Sequence, residues 1–274
     1  MCNLGKYRMK SLPNYDHHSY PHLIIELNSA VLLIKMNRPK ELNALSTDML
    51  GQIAQALSQA DNDPRVSIMV LTGNARAFAA GADIDELSIK TSDLVETDPR
   101  NTHWAAIRNL NKPLIGAVNG FCLGGGNELA MLCDFLIAGK NAKFGQPEIN
   151  LAILPGAGGT QRLTQIAGKG KAMRWMLTGE FINADEALQI GLVTELCEPE
   201  LTLERTMQIA TLIAGKAPLA VRSVKRAIRA SIENQLDDGL CVEREEFKKL
   251  LSSRDKLEGI AAFREKREPC FKGQ

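Results

Sequence analysis

The sequence predicts an α/β core followed by a helical C-terminal part. Three observations carry that expectation. Short apolar runs of strand length, such as Val66 to Leu71 and Pro113 to Val118, are bounded by turn residues. Segments of helical period alternate with them, as in α/β domains. After about Thr202 helix formers at helical spacing run almost unbroken to residue 250.

In chain order, Leu23 to Leu27 and Ala30 to Met36 are apolar runs parted by Asn28-Ser29, which reads as a strand hairpin. Asn37-Arg38-Pro39 ends the second run, because proline has no N–H for the ladder. Ser46 is a good N-cap, and behind it Met49, Leu50, Ile53, Ala56 and Leu57 recur at helical spacing. Val66 to Leu71 is a buried strand closed by Gly73-Asn74, and Pro113 to Val118 and Phe135 to Ala138 are of the same kind. Helical segments fall near Trp104 to Leu110 and Glu128 to Cys133, then at Thr160 to Ala167 and Ala184 to Gln189. The reading divides the chain into a solvated, disordered tail (1–20), a core carrying the site (21–200) and a helical region (201–274) punctuated by Ala217-Pro218.

A chain of 274 residues, 45% hydrophobic and 24% charged, suits a soluble globular protein with a sizeable core. A formal net charge of +1 gives no global field for nucleic acid, so an anionic ligand must be held by local groups. The apolar stretches are too short or too interrupted by charge for a membrane helix. The six cysteines are scattered without a Cys-x-x-Cys pair, and four sit in apolar surroundings as small core residues. A reducing compartment, the cytoplasm, fits that usage. Lys6, Arg8 and Lys10 precede no apolar stretch, so the first residues read as tail rather than as secretory signal or transit peptide.

Several chemistries lack their parts. Gly168-Lys169-Gly170-Lys171 has the wrong spacing for a P-loop, and Gly124-Gly125-Gly126 is not followed by the third glycine of a dinucleotide fingerprint. No serine lies in a Gly-x-Ser-x-Gly elbow. His17, His18 and His22 cluster in the tail, where solvation is the plainer reading than metal, and no His-Glu-x-x-His occurs. No metal site is expected.

Two carboxylates and two small-residue turns remain. Gly124-Gly125-Gly126 precedes Glu128 in a helix apolar on nearly every face, which places Glu128 in a buried first turn. Such a glutamate either stabilises the helix N-terminus or works. The glycines let backbone N–H groups face outward there, as an oxyanion cradle requires. Phe78-Ala79-Ala80-Gly81-Ala82-Asp83 is either a tight packed turn or a second place where a ligand approaches the backbone. Glu148, held by Pro147 ahead of Pro155-Gly156-Ala157-Gly158-Gly159, is either a loop glutamate or a partner of Glu128. Together these groups suit chemistry at a carbonyl: one carboxyl handles water, the other a carbon-bound proton, and the donors hold an enolate.

In order, Ala77 to Asp83, Ala117-Val118-Asn119-Gly120, Gly124 to Ala130, Phe144-Gly145-Gln146-Pro147-Glu148 and Pro155 to Arg162 make a connected set. From about Leu23 to Lys272 the chain resembles the enoyl-CoA hydratase (crotonase) family. The resemblance implies a crotonase-like spiral of ββα units and a C-terminal helical region that builds trimers, commonly stacked as hexamers. It implies an acyl-CoA substrate, with coenzyme A as part of that substrate and no separate cofactor. The oxyanion hole then corresponds to the N–H groups of Ala82 and Gly125, the catalytic pair to Glu128 and Glu148, and Gly156 to a backbone donor near the water. By the same resemblance Glu148 donates the α-proton and Glu128 orients the water as base. Ala80, Asp83 and Ile84 accompany Ala82 at the substrate.

For the coenzyme A phosphates, Arg38 and Lys40 either contact them, as in relatives, or sit in a solvated turn. Phe263 and Lys266 match positions that touch the nucleotide, often from a neighbouring subunit. Asp85 departs from the pattern, since several hydratases carry a lysine there. Gly73-Asn74-Ala75-Arg76 and Asn111 to Ile115 are similar to the branch of phenylacetate catabolism that acts on 2,3-dehydroadipyl-CoA, although short-chain fatty enoyl-CoA hydratases share most of these stretches. The fold also carries Δ3-Δ2 enoyl-CoA isomerases, which generally keep one carboxylate, and silent scaffold or RNA-binding relatives, which need neither. Possession of both Glu128 and Glu148 favours hydration. Acyl preference is expected to lie in the loop residues from Ile84 to Asp98.

Overall fold

The structure, a computed structural model, describes residues 19–274. Most of the expected tail, with Cys2, His17 and His18, lies outside the described residues. Tyr20, assigned to that tail, is buried in the main core instead, and its hydroxyl donates to Gln59 Oε1 at 2.9 Å.

The hairpin forms as β1 (Leu23–Asn28) and β2 (Val31–Met36), paired antiparallel with Ser29 at positive φ in the turn. Helix α1 (Thr47–Asn62) follows, capped by Ser46, whose side chain accepts the Met49 N–H. Then come β3 (Ile68–Thr72), β4 (Ala77–Ala79), α2 (Ile84–Ser88) and α3 (Pro99–Arg108). The next passage is β5 (Leu114–Val118), β6 (Phe121–Leu123) and α4 (Gly125–Ala130). After it run β7 (Phe135–Gly139), β8 (Lys143–Gly145), a 3-10 turn Pro147–Leu151, α5 (Gly159–Ala167) and α6 (Lys169–Thr178). β9 (Ile182–Asn183), α7 (Ala184–Gln189) and β10 (Glu195–Cys197) lead to the helices α8 (Thr202–Ala214), α9 (Pro218–Glu233), α10 (Leu236–Leu251) and α11 (Arg254–Glu265).

From β3 to β8 successive strands alternate between two sheets. One has six strands in the order β1-β2-β3-β5-β7-β10, parallel beyond the hairpin, and the other has four in the order β4-β6-β8-β9. The passages β3-β4, β5-β6 and β7-β8 thus each give one strand to each sheet before a helix, which is the crotonase-like spiral of ββα units. The inner strands of the larger sheet, β2, β3 and β5, are buried on both faces. Leu32, Ile34, Met69 and Leu71 face the main core, while Val31, Leu33, Ile68 and Val70 face α8 through Ala210 and Met207. That double burial is why these strands read as continuous apolar runs. Lys112 ties the sheet to α1: its buried Nζ donates to the carbonyls of Ala60 and Asp63, both at 2.7 Å, where α1 has no basic residue in its last turn.

Some expectations need correction. The helix expected over Glu128 to Cys133 runs from Gly125 to Ala130. Its glycines, read as a turn, form the first helical turn because a Cβ on Gly126 would lie 2.1 Å from the Ala79 carbonyl oxygen, so only glycine lets α4 lie against β4. The helix near Trp104 starts earlier, at Pro99, with Asp98 as its N-cap. The loop from Ile84 to Asp98 contains α2 and a 3-10 turn at Ser92–Leu94. Four of the six cysteines are expected in the core; of the five described, Cys122 and Cys133 are buried, Cys197 is half-buried, and Cys241 and Cys270 are exposed on the single chain.

Candidate active site

The parallel strands β4, β6 and β8 lie side by side, and the chain leaving each carries a candidate group: Ala82, Gly125 and Glu148 respectively. These meet at a cavity of about 520 Å³ whose lining includes Ala80, Ala82, Gly125, Glu128, Glu148 and Gly156.

Ala82 is held by a bridge to Leu45, in which Leu45 N donates to Gly81 O at 2.8 Å and Asp83 N to Leu45 O at 3.2 Å. Its own N–H bonds to none of the described residues. The Gly125 N–H is likewise unbonded, being the first of a helix and lacking an intrahelical acceptor. A Cβ built on Gly125 would stand 3.6 Å from Ala82 N, so the two N–H-bearing positions flank one small space.

Glu128 is 3% exposed in the first turn of α4. One oxygen, Oε1, accepts the N–H groups of Ala157 at 2.7 Å and Gly159 at 2.8 Å. Burial raises its pKa from the ordinary carboxylate value, against those two N–H groups and the charges of Arg162 and Arg100. Arg162 also donates to Ala157 O at 2.8 Å and so fastens the loop that holds Glu128. Glu148 faces Gly124, where a Cβ would come within 2.9 Å of Oε1; glycine there both clears room for the carboxyl and takes the positive φ of 49°. Burial first, and the charge of Glu128 second, push the Glu148 pKa up to about 7. The fully buried amide of Gln146, with its nitrogen turned toward Glu148, donates to both carboxyl oxygens at 2.9 and 3.1 Å.

The remaining expected residues sit elsewhere. Ile84 joins the lining, whereas Asp83 and Asp85 do not. Asp83 caps α2 and pairs with Arg38 at 3.0 Å, and Arg38 also donates to Ala44 O at 2.7 Å, so it braces the turn before Ala82. Lys40 is exposed in the turn after β2. Phe263 is 85% exposed on α11 and Lys266 ends that helix in the left-handed region. None of these four lines the cavity of the single chain. Sequence reasoning missed Gln146, the Ala157 and Gly159 donors, and Arg100 with Trp104 in the lining. Gln146 had a signal, an amide directly before Pro147-Glu148. Arg100 had only its place one helical turn before Trp104.

Comparison with known proteins agrees with this architecture. The family described as enoyl-CoA hydratase/isomerase matches residues 26–274. A 2,3-dehydroadipyl-CoA hydratase of Escherichia coli (strain K12) is 48% identical over 252 residues, which is 92% of this chain and 99% of that protein. A mitochondrial enoyl-CoA hydratase of Pongo abelii is 43% identical over 247 residues, 90% of this chain and 85% of that one. Among solved structures, an enoyl-CoA hydratase subunit I from Geobacillus kaustophilus HTA426 superposes with a TM-score of 0.90 at 43% identity, covering 92% of this chain and 98% of that one.

Proposed function

The chain belongs to the enoyl-CoA hydratase/isomerase family, and from that premise we propose that it hydrates the 2,3 double bond of trans-2-enoyl-CoA thioesters to 3-hydroxyacyl-CoA. It is a hydro-lyase. The observation that carries the reading is one cavity lined by the buried Glu128, the half-buried Glu148 and two backbone positions whose N–H groups have no acceptor among the described residues.

The proposed mechanism follows from those groups. The thioester oxygen sits between the N–H groups of Ala82 and Gly125, an oxyanion hole for the charge that grows on it as C3 is attacked. A water rests against Glu128 and Glu148, with the Gly156 N–H facing it. Glu128, ionised, takes a proton from the water as its oxygen bonds to C3. Glu148, whose raised pKa keeps it substantially protonated near neutral pH, gives a proton to C2. The proton on Glu128 then returns to Glu148, and the sum is the addition of one water. No oxidation or reduction occurs, so the reaction requires no redox cofactor, and coenzyme A arrives with the substrate.

Ala80 and Ile84 border the path of the thioester, with Asp83 and Asp85 next to them in the chain but outside the cavity lining; the exposed Lys40, and Arg38 beyond its pairing with Asp83, supply cations on the side of the phosphates. Phe263 and Lys266 act from a neighbouring subunit of a homotrimer or dimer of trimers; the exposure of Phe263 on the single chain supports that placement. We place the protein in the cytoplasm, in fatty-acid or phenylacetate catabolism, the latter on its likeness to the dehydroadipyl-CoA hydratase. No described helix is long and apolar enough to cross a membrane. The isomerase alternative is not favoured, because the relatives named above are hydratases. The test is loss of the conjugated enoyl-thioester absorbance with crotonyl-CoA, with formation of the 3-hydroxy product. Migration of a 3-enoyl double bond without any alcohol formed would refute hydration.

A further inference from the structure

The cavity that holds the two glutamates is apolar along one wall and cationic at one point. Ile84, Leu87, Ile89 and Leu94 supply the apolar wall. Arg100 supplies the charge from the first turn of α3, and Trp104, one turn on, shares its face of the helix and the same lining. A hydrocarbon chain ending in a methyl group has no use for a guanidinium, and a cation withdrawn from water is costly unless something answers it.

The surrounding residues answer little of it. The Arg100 side chain is 14% exposed, and its one hydrogen bond among the described residues runs from Nη1 to Leu45 O at 3.1 Å. A guanidinium carries five N–H donors. Its ion-pair partner Glu86 stands 3.6 Å away, outside hydrogen-bonding reach, and both Glu86 oxygens already accept from Thr47 at 2.7 to 3.0 Å. The other charged pair in the lining, Lys90 and Asp98, is closed on itself, and Asp98 also accepts the backbone N–H of Arg100. Arg100 and Glu128 line the same cavity, so the cation faces the space that the acyl chain enters.

Resting on the hydratase reading above, we infer that Arg100 is a specificity-determining residue that receives a second carboxylate at the far end of the acyl chain. The preferred substrates are then coenzyme A monothioesters of 2-unsaturated dicarboxylic acids, with their methylenes along Ile84, Leu87 and Leu94. The planar fork of a guanidinium matches a carboxylate through paired N–H···O bonds, which a lysine cannot reproduce.

The test is calorimetric binding of adipyl-CoA and hexanoyl-CoA to the whole protein, two saturated thioesters that differ in a terminal carboxylate against a methyl. Adipyl-CoA is expected to bind about ten- to a hundredfold more tightly at low salt, with the advantage shrinking as ionic strength rises. Arg100→Gln abolishes that preference and Arg100→Lys keeps part of it. Should Arg100→Gln fail to fold, the lysine variant and the salt dependence of the native protein decide. Equal or tighter binding of hexanoyl-CoA by the native protein, or an adipyl preference that survives Arg100→Gln, overturns the assignment. Crotonyl-CoA hydration by the same preparation separates the two failures. Turnover with indifference to the terminal carboxylate sinks the role of Arg100 alone, whereas no turnover at all sinks the hydratase reading and this inference with it.

Discussion

Glu128 meets Gly159 through Oε1 alone: that oxygen accepts the N–H groups of both Gly159 and Ala157, and Oε2 takes no hydrogen bond from the described residues. The carboxylate therefore fastens the loop with one oxygen and keeps the other for a ligand. Glu128→Gln retains an acceptor for the two N–H groups but loses the base. Its kcat is expected to fall by about 10²–10⁴ while its thermal midpoint stays near that of the native protein. Glu128→Ala should lose the same activity and about 1–3 kcal/mol of stability besides, for two orphaned N–H groups. A glutamine variant within threefold of native turnover would remove Glu128 from the chemistry.

Glu148 carries the pH prediction. Its pKa is pushed up to about 7 by burial and by the charge of Glu128, and the proposed step needs it protonated. kcat/KM for crotonyl-CoA should therefore decline as pH rises through about 7, since that profile reports the free enzyme. An acidic limb should appear where Glu128 gains its proton, above the ordinary carboxylate range because burial raises that pKa too. A flat profile from pH 5 to 9 would contradict both assignments.

The space between Ala82 and Gly125 admits a direct probe. A methyl group on Gly125 would sit 3.6 Å from Ala82 N and 3.8 Å from Leu45 Cδ1, which is ordinary contact, so Gly125→Ala should fold with little change in melting temperature. That methyl would occupy the place of the thioester oxygen, and kcat/KM should drop by about 10²–10³ or more. Full activity in this variant would dismiss the oxyanion hole.

Away from the site, Glu246 on α10 is 6% exposed and accepts from Ser223 at 2.7 Å, Arg226 at 2.6 Å and Lys249 at 2.7 Å, joining α9 to α10. The Arg226 hydrogen bond is the largest influence on its pKa, which falls to about 2. A folded pKa below the unfolded one stabilises fully above the unfolded value near 4.5, and the gain is lost as pH falls through about 2. Glu246→Gln should lower the melting temperature at pH 7 and approach the native curve in strong acid. Parallel melting curves from pH 7 to 2 would show that the pair contributes nothing.

The parts of this fold that were legible in the sequence are those in which burial imprints a long pattern. Leu32 to Ile34 and Met69 to Leu71 are apolar because both faces of their sheet are covered, and α1 announces itself through Ser46. The three-residue strands β4, β6 and β8 are too short for any periodicity to mark them in the sequence. The helical start at Gly125 was hidden because glycine is a poor helix former; its reason for being there, the approach of Ala79, is a tertiary one. The glutamates stood out as charge in apolar company. Arg100 did not, because a lone arginine in a polar stretch looks like any other until folding turns it inward.

The alternation of strands between two sheets has a consequence for how the reacting groups are spaced. Ala82, Gly125 and Glu148 leave neighbouring parallel strands on the same side, so their separation is ruled by the fixed pitch of a sheet, about 4.8 Å per strand. The segments that intervene in the chain can lengthen, shorten or be recast without moving the three points relative to one another. Reach into the acyl channel can thus be retuned in the stretch between Ile84 and Asp98 while the ruler beneath the thioester keeps its marks.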